Sequence, residues 1–149
     1  MTALVCDTSG LLAALDRSDP QHARCVTALA AHDGPLVLSP LVLAELDHLV
    51  RRRLGDLSAR QLAEDVALGA YDLAPLDGAD IHACLQLDLL SADLRLGLTD
   101  ASLVVLADRV GTLDLLTLDE RHFRAVRPLQ GEAFRLWPAD LRPGQVRPG

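Results

Sequence analysis

The chain has 149 residues, half of them apolar, and a formal net charge of −7. This size and composition fit one globular domain whose core is stable without disulfide bonds. We assign residues 1–137 to this domain and residues 138–149 to a Pro/Gly-rich C-terminal tail. The acidic balance argues against a protein that coats nucleic acid through bulk electrostatics, but it is compatible with a local basic rim around an acidic site.

The three cysteines, Cys6, Cys25 and Cys84, show no CxxC pattern and no Cys/His metal spacing. We expect buried, reduced thiols. The apolar stretches fall short of the roughly 18 residues of a membrane span, and no basic region leads to a signal-type core at the N-terminus. These features predict a cytoplasmic protein without a membrane partner.

Apolar runs and cap residues predict the elements of the first half. They are a strand over 4–6, a turn over 8–10, a short helix over 11–15, a helix over 20–31, a strand over 36–38 and a helix from Ser39-Pro40 to about residue 54.

The second half continues the alternation. The predicted elements are a helix over 57–70 capped by Ser58, a strand or connection over 71–74, a helix over 79–90, a loop over 91–98, a helix capped by Thr99, a strand over 115–118, a helical turn over 119–123 and an edge strand over 134–137. Alternating strands and helices are typical of an α/β domain with a mainly parallel sheet.

In α/β domains with a parallel sheet, ligands bind beyond the carboxyl ends of the strands. Asp7 and Asp119 directly follow apolar strand runs, and Asp100 follows the Thr99 helix start. At about 100° per residue, Leu103 and Val104 lie on the same side of that helix as Asp100, which puts the carboxylate at the edge of the buried face. We therefore expect these acids to converge.

A fourth acid, Glu45, lies inside the apolar stretch 41–50. It shares a helical stripe with His48 and Arg52, a pattern that fits either a metal ligand facing a cleft or a surface network. The run of arginines over 51–53 fits a helix C-terminus that complements its dipole, with RNA phosphate contact by Arg52 as the alternative.

Several α/β chemistries are disfavoured by the sequence. The chain has no lysine for a receiver-domain pocket, and no second aspartate stands two residues after Asp7 as in haloacid-dehalogenase-type phosphatases. GxGxxG, Walker and GxSxG motifs are also absent from the sequence. Converging carboxylates repel one another unless a hard divalent cation neutralises them, which leaves metal-dependent phosphoryl chemistry.

Four segments in order, 5–9, 39–45, 93–102 and 116–123, resemble the successive acidic motifs of PIN-domain ribonucleases, in particular VapC-type toxins of bacterial toxin–antitoxin pairs. The resemblance implies an α/β/α sandwich, Mg²⁺ or Mn²⁺ as cofactor, and endonucleolytic RNA cleavage that leaves a 3′-hydroxyl and a 5′-phosphate. It also implies a homodimer and inhibition by a VapB-like antitoxin.

By position, the resemblance makes four acids catalytic and metal-binding: Asp7, Glu45, Asp100 and Asp119. Small polar residues support them: Thr8, Ser9 and Thr117. Asp93 is an additional candidate ligand, although Ala92 stands where the family often has an aromatic residue. The alternative function is a PIN-like binding or regulatory module with little catalytic activity.

Overall fold

The computed structural model describes residues 1–142 and 144, and five strands in it form one parallel sheet. The strands are β1 (Leu4–Cys6), β2 (Leu36–Leu38), β3 (Asp72–Leu73), β4 (Asp114–Leu116) and β5 (Arg135–Trp137). Their order is β3-β2-β1-β4-β5, so the first strand is central and chain order reverses beside it. The predicted parallel α/β sheet is confirmed.

Helices flank this sheet and complete the predicted three-layer sandwich. They are α1 (Thr8–Leu15), α2 (His22–Ala31), α3 (Pro40–Leu54), α4 (Asp56–Ala67), α5 (Gly78–Leu90), α6 (Gly97–Val110) and α7 (Glu120–Ala125), with a 3₁₀ turn at Ala92–Leu94. Helix α1 packs on α2 and α3, α3 packs on α4, and α5 packs on α6.

The core is built on the central strands and on α6. All of Leu4, Val5 and Cys6 are buried, as expected for a strand covered on both faces. Helix α6 buries the seven consecutive residues from Ala101 to Ala107, so it is apolar around its circumference rather than along one stripe. This burial fixes the start of α6, where Asp100 lies.

Several helix starts differ from the predictions, and α2, predicted from residue 20, begins at His22. Helix α1 begins at Thr8, because the Asp7 carboxylate accepts a hydrogen bond from the Thr8 amide and the predicted turn becomes helical. Helix α6 begins at Gly97, whose amide donates to the Asp88 carboxylate, so the predicted Thr99 cap was wrong.

The Ser58 cap was also wrong. Helix α4 starts at Asp56, and the Ser58 hydroxyl lies inside it, where it donates to the Leu54 carbonyl. Gly55, with φ of +93°, joins α3 to α4 without an intervening loop.

Residues after β5 fold back onto the domain. The Asp140 carboxylate accepts from the Leu136 amide at 2.8 Å and pairs with Arg124 of α7, and Leu141 packs against the core. Of the predicted tail, residues 143 and 145–149 lie outside the described residues.

Two further predictions concern the cysteines and membrane insertion. Cys6, Cys25 and Cys84 are free and buried, as predicted. None of the described helices has the length and apolar character needed to cross a membrane.

Candidate active site

The four predicted acids line one cleft of about 600 Å³. Asp7 follows β1, Asp119 follows β4, Glu45 comes from α3, and Asp100 comes from the first turn of α6. Because β1 and β4 are parallel neighbours, with Cys6 opposite Leu116, the two strand-end acids meet at the same edge of the sheet. The predicted convergence is therefore observed.

Asp7 is the most rigidly held of these acids. Its Oδ1 accepts the Thr8 amide at 2.8 Å, and its Oδ2 accepts the Ser9 hydroxyl at 3.0 Å and the Thr117 hydroxyl at 2.8 Å. The side chain is buried, and these three donors fix its orientation. The hydroxyls of Ser9 and Thr117 thus contact Asp7, whereas the Thr8 hydroxyl is buried without a hydrogen-bond partner among the described residues.

A second cluster stands beside Asp7. It consists of Asp100, Asp119 and His122, whose nearest ligand atoms all lie within 4.8 Å of one another. The Nδ1 atom of His122 is 2.8 Å from the nearer Asp119 oxygen and 3.4 Å from Asp100 Oδ2. Both contacts lack hydrogen-bond geometry, so this buried nitrogen has no hydrogen-bond partner within the described part of the chain.

The electrostatics of the cleft follow from burial and mutual repulsion. Burial raises the pKa of Asp100 to about 7, with further raising by the charges of Asp7, Asp119 and Glu45 and an opposing effect from His122. Burial also raises the pKa of Asp7, although its three hydrogen bonds act in the opposite direction. The cleft therefore holds more negative charge than its own residues neutralise.

Two buried hydroxyls link the two helices that carry Glu45 and Asp100. Ser39 caps α3, Ser102 lies on α6, and their Oγ atoms are 2.8 Å apart. This contact joins the helix that carries Glu45 to the helix that carries Asp100. It sets their separation independently of any charge in the cleft.

Comparison with known proteins places this geometry in a family. The sequence matches the family model of the PIN domain over residues 4–128. The chain belongs to the PIN-domain family. It is also 41% identical to Ribonuclease VapC26 of Mycobacterium tuberculosis (strain ATCC 25618 / H37Rv) over 135 residues, which cover 91% of this chain and 100% of the relative. The predicted membership among VapC-type PIN domains is confirmed.

A solved structure shows the same fold. The crystal structure of Mycobacterium tuberculosis VapC20, described as a sarcin-ricin loop cleaving toxin, superposes with a TM-score of 0.69 and covers 75% of this chain and 86% of the other. The two sequences share 18% identity, so the likeness concerns the fold alone.

Two residues of the predicted set lie apart from the cleft of this PIN domain. Asp93, in the 3₁₀ turn, is exposed and does not line the cleft, and the exposed Arg52 does not line it either. Arg53 lines it instead, on the helical row that includes Glu45 and Leu49. The wall of the cleft follows this row at i, i+4 and i+8, whereas the sequence analysis grouped Glu45 with His48 and Arg52.

The sequence analysis missed two cleft residues. His122 follows Asp119 by three residues, and this i, i+3 spacing at the start of α7 was a signal for their proximity. Asp19 lies in a turn, where its carboxylate accepts the Gln21 amide at 2.8 Å, and it also lines the cleft.

The residues of this PIN domain fit a hard divalent cation. The cluster of Asp100, Asp119 and His122 offers two carboxylates and an imidazole, and the His122 nitrogen and the Thr8 hydroxyl are buried polar atoms without protein partners in the described residues. Carboxylate oxygens are the ligands that Mg²⁺ and Mn²⁺ prefer, and a cation would offset both the burial and the repulsion that raise the pKa of Asp100.

Proposed function

We propose that this chain is a metal-dependent endoribonuclease and the toxin of a type II toxin–antitoxin pair. The observation that carries the proposal is the convergence of Asp7, Glu45, Asp100 and Asp119 on one cleft, joined by His122, in a chain 41% identical to a VapC ribonuclease over that relative's full length. We propose the four acids as the catalytic set and Mg²⁺ or Mn²⁺ as the cofactor.

Asp100, Asp119 and His122 would hold the ion, with Asp7 and Glu45 facing it from the other walls of the cleft. When bound, such an ion supplies an acidified water near neutral pH and neutralises charge on a phosphodiester. The chain needs no nucleophile of its own for that hydrolysis.

The protein groups supply orientation. Ser9, Thr117 and the Thr8 amide hold the Asp7 carboxylate in one orientation, so it needs no rearrangement when substrate arrives. Without the ion, burial and the neighbouring acids raise the pKa of Asp100 to about 7, so a proton and a cation would compete for this carboxylate near neutral pH.

Two protein partners belong to the proposal. A VapB-like antitoxin would silence the enzyme by placing a guanidinium among the cleft carboxylates, since arginine pairs well with carboxylates. A second copy of the chain would form a homodimer through exposed apolar helix faces.

The decisive experiment is an RNA cleavage assay on total cellular RNA with Mn²⁺. Wild type is expected to cleave, whereas Asp7→Asn and EDTA-treated wild type are expected to lose activity by at least about a hundredfold, because the site then lacks a carboxylate or a cation. The matched control is Glu64→Ala, which removes an exposed acid of α4 away from the cleft and should leave cleavage unchanged.

Equal cleavage by Asp7→Asn and wild type, with metal in excess and both proteins folded by circular dichroism, would exclude this cleft as the active site. Binding of RNA by wild type without cleavage would favour the binding-module alternative instead.

A further inference from the structure

The cleft is short of positive charge where an RNA phosphate has to enter. Five acids line it: Asp7, Asp19, Glu45, Asp100 and Asp119. The chain contains no lysine, and Arg53 is the single arginine that lines the cleft among the described residues. A polyanion that approaches this site therefore meets one permanent protein cation.

The three consecutive arginines at the end of α3 lie in different surroundings. Arg51 forms ion pairs with Asp47 at 3.0 Å and with Asp56 at 3.1 Å. Arg52 and Arg53 are both exposed, but Arg52 lies off the cleft, whereas Arg53 lines it and forms no hydrogen bond or ion pair within the described part of the chain. The helix dipole explains basic residues at this terminus, but it does not explain why one of them faces the acids.

Asp16, an acid outside the cleft, is close enough for the charge of Arg53 to act on it, but the two form no ion pair among the described residues. Two hydrogen bonds from Ser18, at 3.0 Å from its amide and 2.7 Å from its hydroxyl, hold the pKa of the Asp16 carboxyl below its ordinary value, and the charge of Arg53 adds to this effect. Because Ser18 already satisfies Asp16, the Arg53 guanidinium keeps its donors for another anion.

Arg53 is set apart from Glu45 along α3. Glu45 and Arg53 are eight residues apart, which corresponds to about 12 Å along the helix axis at a rise of 1.5 Å per residue. Arg53 therefore lies two helical turns beyond Glu45 on the same wall of the cleft, toward the C-terminal end of α3.

We propose that Arg53 binds a phosphate that flanks the scissile one, and so positions a single RNA strand across the acidic cleft. The inference rests on the proposed ribonuclease function and deepens it by assigning the substrate-positioning cation. Arg53 is a positioning residue, because its contact with the phosphate is the same in the bound substrate and in the transition state. Its loss therefore weakens RNA binding and leaves the chemical step nearly unchanged.

The experiment measures two properties of Arg53→Gln against wild type. Anisotropy of a labelled single-stranded oligoribonucleotide gives the Kd across a NaCl series, with both proteins carrying Asp7→Asn so that the RNA stays intact, and cleavage of the same RNA without that substitution gives KM and kcat. We expect Kd and KM to rise about tenfold, as for loss of one charged hydrogen bond, with kcat within about twofold. The slope of log affinity against log salt should fall by about 0.7, the value for one single-strand phosphate contact.

Three further variants define the assignment. Arg53→Lys keeps the charge without the forked geometry and should lose less affinity than Arg53→Gln. Arg60→Gln removes an exposed arginine of α4 off the cleft and should behave as wild type. Arg52→Gln tests the neighbouring residue for which the sequence analysis gave phosphate contact as the alternative role.

Unchanged Kd, KM and salt slope in Arg53→Gln would overturn the assignment, and so would an equal loss in Arg52→Gln or Arg60→Gln. Binding without cleavage by wild type would refute the proposed function while the anisotropy arm still decided the role of Arg53. Absence of RNA binding by wild type would overturn both.

Discussion

At the residue scale, Asp100 couples the stability of the metal-free protein to pH. Its native pKa of about 7 lies above the ordinary value of 3.8, so the native state binds more protons than the unfolded state between these limits. The free energy of unfolding should therefore fall as pH rises from about 4 to about 7. Thermal melts in EDTA across this range measure the effect, and Asp100→Asn should flatten the profile.

The same substitution tests Asp100 as a ligand. Without metal, Asp100→Asn should melt at or above the temperature of wild type, because it removes one of several repelling charges. Saturating Mn²⁺ should stabilise wild type by about 2.7 kcal/mol when free metal is 100 times its Kd, and stabilise the variant much less. If the variant is clearly destabilised in EDTA, or gains as much from Mn²⁺ as wild type, Asp100 is a structural residue of the α6 start.

At the scale of elements, the close approach of α1 to β4 aligns Asp7 with Thr117. A Cβ atom added at Gly10 would stand 2.7 Å from Leu116 Cγ, so the contact requires glycine. Gly10→Ala should therefore destabilise the protein by about 1–3 kcal/mol, because buried Leu116 has to shift. Chemical denaturation measures this change.

The control for that prediction is Gly78→Ala at the first position of α5. A Cβ atom there meets nothing within 4 Å, and the backbone needs no positive φ, so we expect a neutral or slightly stabilising effect. An equal loss of stability in both variants would show that tight packing against β4 is not the cause.

At the scale of the whole molecule, one face of α5 is a candidate homodimer surface. Ile81, Leu85 and Leu89 follow one another at i, i+4 and i+8 and are 36%, 46% and 63% exposed. Sedimentation at micromolar concentration should show a dimer for wild type and a monomer for Leu85→Glu/Leu89→Glu, because buried carboxylates oppose association. Leu68→Glu, which changes an exposed leucine directly after α4, should remain dimeric.

A monomeric wild type would refute the predicted dimer. Dissociation by Leu68→Glu with an intact Leu85→Glu/Leu89→Glu dimer would place the interface on α4 instead.

Much of the fold could be predicted because its signals are local. The run Leu4–Cys6 is apolar on both faces, as a central parallel strand requires, and Ser39-Pro40 marks the start of α3. The starts of α1 and α6 could not be predicted. The Asp88 carboxylate, which accepts a hydrogen bond from the Gly97 amide, belongs to the preceding helix. No local motif beside Gly97 therefore predicts this contact.

The sequence by itself determined which acids end strands or begin helices, and therefore that Asp7, Asp100 and Asp119 belong to one edge of a parallel sheet. Only the tertiary structure decided the partners of these acids. The pairing of β1 with β4 brings Thr117 to Asp7 across 110 positions, and the packing of α3 turns Arg53 rather than Arg52 to the cleft. The physical reason is that helical and strand periodicity fix the direction of a side chain within its element, whereas the cleft is set by how separate elements pack.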